Sequence, residues 1–244
     1  MEKSQSLAGE FGVSDEIEEL LLTLPRDKTF DGCSIYQYEG SWYRPISLAG
    51  LISSRKHFQA KDRCNCDHLS EIRNPFDQFI SHWKFLQNIA QEQNVQPISF
   101  EEAFELFCKG IHSFGPSWEH VLGYWKASLD NPRKILFFKY EDVKEDTSFH
   151  VNKLADFLGC PFSDVEKSRG VIEEIVKLCS FDNMKDLEVN KTGRIRGSGA
   201  KNSNFFRKGK VGDWTNYFTP SMSERMNKLM EEKFSGSDLT FKMS

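Results

Sequence analysis

The 244-residue sequence predicts an α/β fold, because an apolar strand pattern runs directly into an amphipathic helix pattern. The strand pattern covers residues 135–142, ILFFKYED, and the helix pattern covers residues 143–160, with Gly159 near its end. With 39% hydrophobic residues, the chain is long enough to bury the core of one large domain. We therefore expect a single domain over residues 1–244.

Other segments place apolar residues at helical spacing and indicate that helices surround this strand. The best marked of them, residues 76–90, follows Asn74, a good N-cap residue, and Pro75, which is tolerated at the first helical position. Residues 35–42 instead alternate aromatic and polar residues, which predicts a strand with one apolar face. Further helices are predicted at residues 14–24, 100–109, 118–129, 164–178 and 221–234.

Residues 189–212 form a cationic, glycine-rich segment without a carboxylate, although the whole chain carries a net charge of −4. Within FFRKGKVGDW, residues 205–214, Arg207 offers a forked guanidinium, Lys208 a point charge and Gly209 an accessible backbone N–H. The flanking aromatic residues favour an ordered anion site over the alternative, a solvated charge run. The seven cations are Lys191, Arg194, Arg196, Lys201, Arg207, Lys208 and Lys210.

The sequence disfavours a membrane protein and a metal site. No apolar run approaches the ~18 residues of a spanning helix, and the first residues lack the pattern of a signal peptide. We therefore expect a cytoplasmic protein with no membrane partner. The six cysteines give no disulfide framework. Cys64, Cys66 and His68 lack the second ligand pair of a structural zinc site, so no metal is expected.

Six ordered segments give the chain a family resemblance. They are the aromatic segment ending in KHFQAKD, then IRNPFDQFISHWKF, GPSWEHVLGYWKASL, ILFFKYEDVKED, LCSFDNM and FFRKGKVGDW. In this order they resemble the plant cytosolic sulfotransferases, which use 3′-phosphoadenosine 5′-phosphosulfate (PAPS) as sulfonate donor. The resemblance implies a P-loop-like parallel sheet flanked by helices, and PAPS as co-substrate without a metal.

The resemblance also implies roles for eight residues in binding the donor. Taken alone, Ser81 is better explained as an ordinary helix-face serine, and Tyr140 and Phe181 as core or rim aromatics. By their match to the family, Arg73 and Ser81 bind the 3′-phosphate, Tyr140 contacts the donor, Cys179 and Phe181 line the adenine, and Arg207, Lys208 and Gly209 grip the 3′-phosphate.

Trp118 and His120 lie in a segment that the family places beside the acceptor cavity. A single histidine on an amphipathic helix needs a partner before it can do acid–base chemistry. From the residues alone we therefore expect His120 to be a packed helical histidine.

The family's PKSGTTW-type turn, which holds the 5′-phosphosulfate, is absent from this sequence, as is the short segment that bears the catalytic histidine. In the relatives both lie between HFQAKD and the RNP motif, whereas here Asp62 is followed by RCNCDHLSEI and then Arg73. This pattern predicts an internal deletion near residues 62–72 and the loss of a central strand. His68 is a poor replacement for the base, so no catalytic residue is assigned.

The leading hypothesis is sulfonation of a hydroxyl on a small flavonoid-, steroid- or hormone-like acceptor, with weak or no activity in this form. The alternative is a non-catalytic remnant that binds PAPS or adenosine 3′,5′-bisphosphate (PAP). A nucleic-acid partner is disfavoured by the acidic remainder of the chain and the lack of any nucleic-acid-binding module. Dimerisation is also disfavoured: Thr219 and Glu224 match the family's dimer-forming pattern, but Thr215 and Pro220 depart from it.

Overall fold

The computed structural model describes residues 26–28, 34–38, 41–43, 68–111, 116–195 and 199–243. The helix predicted at residues 14–24 and the cysteines Cys64 and Cys66 lie outside them. The chain divides into two compact units, one formed by Met1–Asn65 and Ile98–His120, the other by Cys66–Pro97 and Val121–Ser244.

The first unit contains a three-stranded antiparallel sheet in the order β1 (Arg26–Lys28), β2 (Ser34–Tyr38) and β3 (Ser41–Tyr43). Tyr38 pairs with Ser41, so β2 and β3 run antiparallel to each other. The single strand predicted over residues 35–42 is therefore two strands. The alternation of aromatic and polar residues predicted strand but not the reversal within it.

Two helices supply the rest of the first unit that the structure describes. Helix α2 (Phe100–Cys108) begins with a capping box, in which the Ser99 side chain accepts from the Glu102 N–H and the Glu102 side chain accepts from the Ser99 N–H. Helix α3 (Ser117–Asp130) begins in this unit and extends beyond it. The buried Trp118 packs edge-to-face on Phe107, with ring centroids 6.3 Å apart.

The second unit contains a parallel pair of strands, β4 (His68–Ile72) and β5 (Ile135–Lys139). Strand β5 ends three residues earlier than predicted, because residues 140–142 begin a helix. Strand β4 was not predicted, since HLSEI carries little apolar character. Its Ser70 is nevertheless buried. The register pairs Ile72 with Lys139, so both strands end at the same edge of the sheet.

Helix α1 (Pro75–Glu92) follows β4 after two residues and starts where the sequence predicted. The Asn74 side chain accepts from the Asp77 N–H at 2.9 Å, and Pro75 occupies the first turn, where its missing N–H costs nothing. Asn74 is fully buried, and both its backbone N–H and its Nδ2 donate to Glu141 Oε1 at 2.8 Å. The cap therefore also joins the starts of the two helices that follow the parallel strands.

The helices after β5 are shorter than the sequence predicted. The helix predicted over residues 143–160 is broken at Asp146 into α4 (Tyr140–Glu145) and α5 (Thr147–Phe157). Asp146 causes the break, because its side chain caps α5 by accepting from the Phe149 N–H at 2.9 Å. The helix predicted over residues 164–178 is likewise two helices, α6 (Asp164–Ser168) and α7 (Val171–Leu178).

The rest of the second unit carries the cationic segment and the last helix. Helices α8 (Phe181–Asp186) and α9 (Glu188–Thr192) lead into it, and α10 (Pro220–Lys233) follows it. Two short 3₁₀ turns, Asn202–Phe205 and Asp213–Asn216, lie between them. Within the described ranges, no helix combines the length and the apolarity needed to cross a membrane. Buried apolar side chains of this unit include Phe76, Phe79, Ile80, Val121, Ile135, Leu136, Phe138, Ile172, Met226, Phe234 and Leu239.

The Asn74→Ala variant should lower the free energy of unfolding by about 3 kcal/mol, because it removes a helix cap and the side-chain donor that buried Glu141 and Asp77 share. Urea denaturation followed by circular dichroism measures the loss. The matched control is Ser163→Ala, which removes the exposed cap of α6 and should cost about 1 kcal/mol. Equal losses in the two variants would mean that the side-chain bond from Asn74 to Glu141 adds nothing to the free energy of unfolding.

Candidate functional site

Two of the predicted donor-binding residues meet at the carboxyl edge of the parallel sheet. Arg73 follows β4 and Tyr140 follows β5, and the Arg73 guanidinium carbon lies 4.8 Å from the centre of the Tyr140 ring. This contact is a cation–π interaction. Burial raises the pKa of the Tyr140 hydroxyl, although the nearby Arg73 charge acts to lower it. Tyr140 therefore remains a neutral phenol that can donate a hydrogen bond.

Arg73 is held by contacts on several sides. Its Nη1 donates to Ser81 Oγ at 2.8 Å, and its Nη2 donates to the Lys210 carbonyl and lies 3.5 Å from Asp77 Oδ2. Ser81 is thus more than a helix-face serine, because its hydroxyl accepts from the arginine. The Arg73 Nε is buried and makes no hydrogen bond within the described residues. The guanidinium is therefore fixed in place, and its Nε–H can still donate a hydrogen bond.

The side chain of Asp77 has no exposed surface and binds the backbone of the cationic segment. Its Oδ2 accepts from the Gly212 N–H at 2.7 Å, and its Oδ1 accepts from the Trp214 N–H at 3.0 Å. Asn74 Nδ2 adds a third donor at 3.2 Å. These bonds dock residues 212–214 on the first turn of α1, beside Arg73.

Arg207 and Lys208 share a counterion within their own loop. Arg207 Nη1 donates to Asp213 Oδ2, and Lys208 Nζ donates to Asp213 Oδ1 at 2.7 Å. Asn216 Nδ2 also donates to Asp213 Oδ1, at 3.0 Å. Burial acts to raise the pKa of the Asp213 carboxyl, but the bonds from Lys208 and Arg207 outweigh it and lower this pKa to about 2. Asp213 is therefore ionised at neutral pH.

Other cations of the segment are paired as well. Lys191 Nζ lies 3.1 Å from Asp186, and Arg194 Nη1 lies 3.4 Å from Glu92. These two ion pairs offset part of the positive charge of residues 189–212. Each of these partners lies outside the segment, so charge counting along the chain could not reveal the neutralisation.

Gly209 lies against the ring of Phe181, and both were predicted to contact the donor. The Gly209 φ is +62°, a conformation that side chains rarely adopt, and a Cβ added there would lie 2.5 Å from Phe181 Cδ2. The ring of Phe206 lies 5.8 Å from that of Phe181, centre to centre. Cys179 is exposed, two residues before Phe181, and ends α7. The missing Cβ of Gly209 thus leaves room for the ring of Phe181.

Aromatic contacts along α1 anchor the cationic segment, as its composition predicted. Phe76 packs on Trp214 with centroids 4.7 Å apart, and Phe85 stacks on Phe205 at 5.1 Å. At the far end of the helix, Asn204 Nδ2 donates to Glu92 Oε1 at 3.0 Å. The alternative of a solvated charge run is wrong for the part of the segment that the structure describes.

The structure describes His120 in the first unit, where it is exposed on the first turn of α3. The expectation of a packed helical histidine is therefore wrong. Trp118, two residues earlier, is buried. The apolar spacing of the helix predicted the burial of Trp118 correctly. It did not determine on which face of the helix His120 lies.

A sequence profile described as the sulfotransferase domain matches residues 62–238, well over half of the chain. The chain belongs to the sulfotransferase family. This confirms the family resemblance that the ordered segments predicted, and the profile covers the described residues around Arg73 and Asp213.

Similar proteins include plant sulfotransferases. Cytosolic sulfotransferase 15 of Arabidopsis thaliana is 48% identical over 172 residues, which are 70% of this chain and 47% of the relative. Flavonol 3-sulfotransferase of Flaveria bidentis is 44% identical over 243 residues, 93% of this chain and 75% of the relative. The chain thus spans about half the length of the first of these relatives.

One relative aligns with this chain over more residues than the chain contains. Cytosolic sulfotransferase 13 of Arabidopsis thaliana is 31% identical over 324 residues, with 99% of both chains covered. Because this alignment is longer than the 244 residues of the chain, the relative contains many residues that have no counterpart here.

A mouse sulfotransferase crystallised with PAP has a similar fold, with a TM-score of 0.61 and 30% identity over 71% of this chain and 60% of that one. This likeness confirms the predicted α/β sulfotransferase fold.

Sequence reasoning did not identify three residues that shape the site. Asp77 fits an ordinary first-turn carboxylate, since acids are favoured there. Asp213 lies one residue beyond the acid-free segment, and Glu141 lies within an apparent strand. One feature of the sequence could have identified Asp213. It follows Arg207 and Lys208 by only a few residues and comes directly after Gly212, where a tight turn can bring the carboxylate back to the cations.

The Gly209→Ala variant should lower the free energy of unfolding by at least about 2 kcal/mol, because the new Cβ adopts a positive φ and overlaps Phe181. The matched control is Gly236→Ala, where φ is +78° but no atom lies within 4 Å of the added Cβ, so only about 1 kcal/mol is expected. Urea denaturation of both variants gives the comparison. If Gly209→Ala costs no more than Gly236→Ala, the contact with Phe181 does not constrain the loop.

The Asp213 ion pairs should make stability depend on pH below about 4. The folded pKa of about 2 lies below the ordinary 3.8, so the stabilisation is complete above pH 4 and lost as the pH falls through 2. Because Lys208 is 44% exposed, solvent screening reduces the effect to about 1 kcal/mol. Urea midpoints of the wild type and Asp213→Asn should therefore converge between pH 4 and pH 2. A constant difference would contradict the lowered pKa.

Proposed function

We propose that the chain binds PAPS and transfers its sulfonate to a hydroxyl of a small acceptor, more slowly than its longer relatives. Membership of the sulfotransferase family and similarity to a sulfotransferase crystallised with PAP support the donor. Similarity to a flavonol sulfotransferase supports a flavonoid-like acceptor, within the broader class of flavonoid-, steroid- and hormone-like hydroxyls. The observation that carries the proposal is the contact between Arg73 and Ser81 beside the docked cationic loop.

The residues of this cluster fit the 3′-phosphoadenosine end of the donor. Arg73 has a buried Nε with donor capacity left, and Ser81 Oγ is directly beside its guanidinium. A phosphate oxygen would accept hydrogen bonds from the fork of Arg207 and from the backbone N–H groups near Gly209. Phe181 offers a ring face for the adenine, Tyr140 lies at the same sheet edge as Arg73, and Cys179 lies two residues before Phe181.

When bound, PAPS supplies the sulfonate group that is transferred. The protein's contribution in this part of the chain is to hold the 3′-phosphate and the base, so that the 5′ end has a fixed position. Asn74, Asp77 and Glu141 are buried away from water. The hydrogen bonds that they make are therefore stronger than the same bonds would be in water.

The alternative function is binding of PAPS or PAP without turnover. It is favoured by the absence of a PKSGTTW-type turn from the sequence and by the alignment with a relative over more residues than the chain contains. We propose that the missing residues lie between Asp62 and Arg73. Loss of the donors that stabilise the moving sulfonate and of the base would reduce turnover by orders of magnitude while leaving the 3′-phosphate contacts intact.

Several expectations stay predictions. They are a single domain, a cytoplasmic location, and the lack of a metal and of a nucleic-acid, membrane or dimer partner. The names of the Arabidopsis relatives, which are called cytosolic, support the location. For the dimer, Thr219 is occupied as the N-cap of α10, accepting from the Met222 N–H at 3.2 Å, and Glu224 pairs with Lys228 at 2.8 Å.

Isothermal titration calorimetry with PAP tests the binding site. The wild type should bind PAP, and Arg73→Lys should weaken binding about tenfold, because an ammonium keeps the charge but loses the fork. The control is Arg194→Lys, an arginine in the same unit that pairs with Glu92 and should change the affinity less than twofold by that same reasoning. Equal effects of the two variants would contradict a donor site at Arg73.

A sulfonate-transfer assay with PAPS and a flavonol separates the two functions. Product formation above the rate of the Arg73→Lys variant supports the sulfotransferase. Binding of PAP without detectable product supports the non-catalytic alternative. Failure of the wild type to bind PAP would overturn both.

A further inference from the structure

Asp77 lies at the centre of a chain of contacts that ends at the two cations of the proposed 3′-phosphate site. Its two oxygens accept from Gly212 and Trp214, the residues on either side of Asp213. Asp213 in turn accepts from Arg207 and Lys208. The backbone on both sides of the counterion is therefore fixed by one buried carboxylate on α1.

The surroundings of Asp77 make these bonds strong and hard to replace. The carboxylate is 0% exposed, so its charge is compensated only by hydrogen bonds and by the guanidinium of Arg73 at 3.5 Å. Hydrogen bonds to a charged group are stronger than those between neutral groups. An asparagine has one acceptor oxygen in place of two, and its amide would direct a donor at a backbone donor.

Arg73 gives the loop a second attachment to the same place, because its Nη2 donates to the Lys210 carbonyl. Residues 210, 212 and 214 are thus all bound from the first turn of α1 and the residue before it. With the backbone fixed at these points, the directions of the Arg207 and Lys208 side chains are set by where Asp213 lies.

We propose that Asp77 is a positioning residue that aims Arg207 and Lys208 at the 3′-phosphate, so that it determines the preference for a 3′-phosphorylated adenine nucleotide. Asp77 does not touch the nucleotide; it acts through Gly212, Trp214 and Asp213. This inference rests on the proposed function, because it assumes that the cluster binds the 3′-phosphate.

The test compares the affinities of PAP and adenosine 5′-monophosphate, which lacks the 3′-phosphate. Calorimetry on the full chain should show that Asp77→Asn lowers the ratio of the two affinities about tenfold, equal to the loss of one charged hydrogen bond. A merely structural role would weaken both nucleotides by the same factor and leave the ratio unchanged, and that result overturns the inference.

A matched control is Glu92→Gln, at the other end of the same helix. Glu92 also binds the cationic segment, and its partners there in the described residues are Arg194 and Asn204 rather than the residues around Asp213. Its affinity ratio should equal that of the wild type. A ratio that falls as far in Glu92→Gln as in Asp77→Asn would also overturn the inference, since any loosening of the loop would then suffice.

A second variant keeps the test decisive if Asp77→Asn fails to fold. Asp213→Asn leaves the Asp77 bonds to Gly212 and Trp214 in place and breaks only the last contacts of the chain, so it should lower the same ratio. An unchanged ratio in Asp213→Asn overturns the inference. A wild type that does not prefer PAP over adenosine 5′-monophosphate overturns the proposed function instead, and the two failures are thereby distinguishable.

Discussion

The buried carboxylate of Asp77 is the constraint on which the rest of the described site depends. A desolvated charge in the first turn of α1 must collect hydrogen bonds, and most of its donors come from residues more than a hundred positions later. Satisfying Asp77 therefore requires the cationic segment to return to the start of α1. Arg73, which must also be paired, adds the bond to the Lys210 carbonyl. The site is assembled by the need to compensate two buried or partly buried charges.

The same logic operates between the two helices that follow the parallel strands. Asn74 caps α1 and at the same time satisfies Glu141 in α4, so the carboxyl ends of β4 and β5 are linked through one amide. Glu141 keeps a second buried oxygen, Oε2, without a partner in the described residues. A polar network of this kind fixes one arrangement of the elements, because any other arrangement would leave more buried groups unsatisfied.

Ion pairs with carboxylates change the interpretation of the cationic segment, residues 189–212. Within the described residues, four of its seven cations pair with Asp186, Glu92 and Asp213, so its positive field is weaker than the composition implied. The donors of this segment are held in fixed directions by their partners. A ligand must therefore match the fork of Arg207 and the backbone near Gly209 to form hydrogen bonds with them, and ligands are selected by their shape. This property suits recognition of one phosphate on a nucleotide better than binding of an extended polyanion.

The sequence by itself determined the family, the order of the segments and the start of α1, because motifs and caps are local patterns. The residues of the donor site stay a prediction from the resemblance. Only the tertiary structure decided that Asp77 and Asp213 organise that site, that Ser81 is bonded to Arg73 and that HLSEI forms a parallel strand. These features depend on residues far apart in the chain. The boundaries of α4 and α5 also escaped sequence reasoning, since Asp146 fits a helix interior until its side chain is seen to cap. FFRKGKVGDW was recognisable from its cations and glycines, but only the fold showed that its own Asp213 pairs with Arg207 and Lys208.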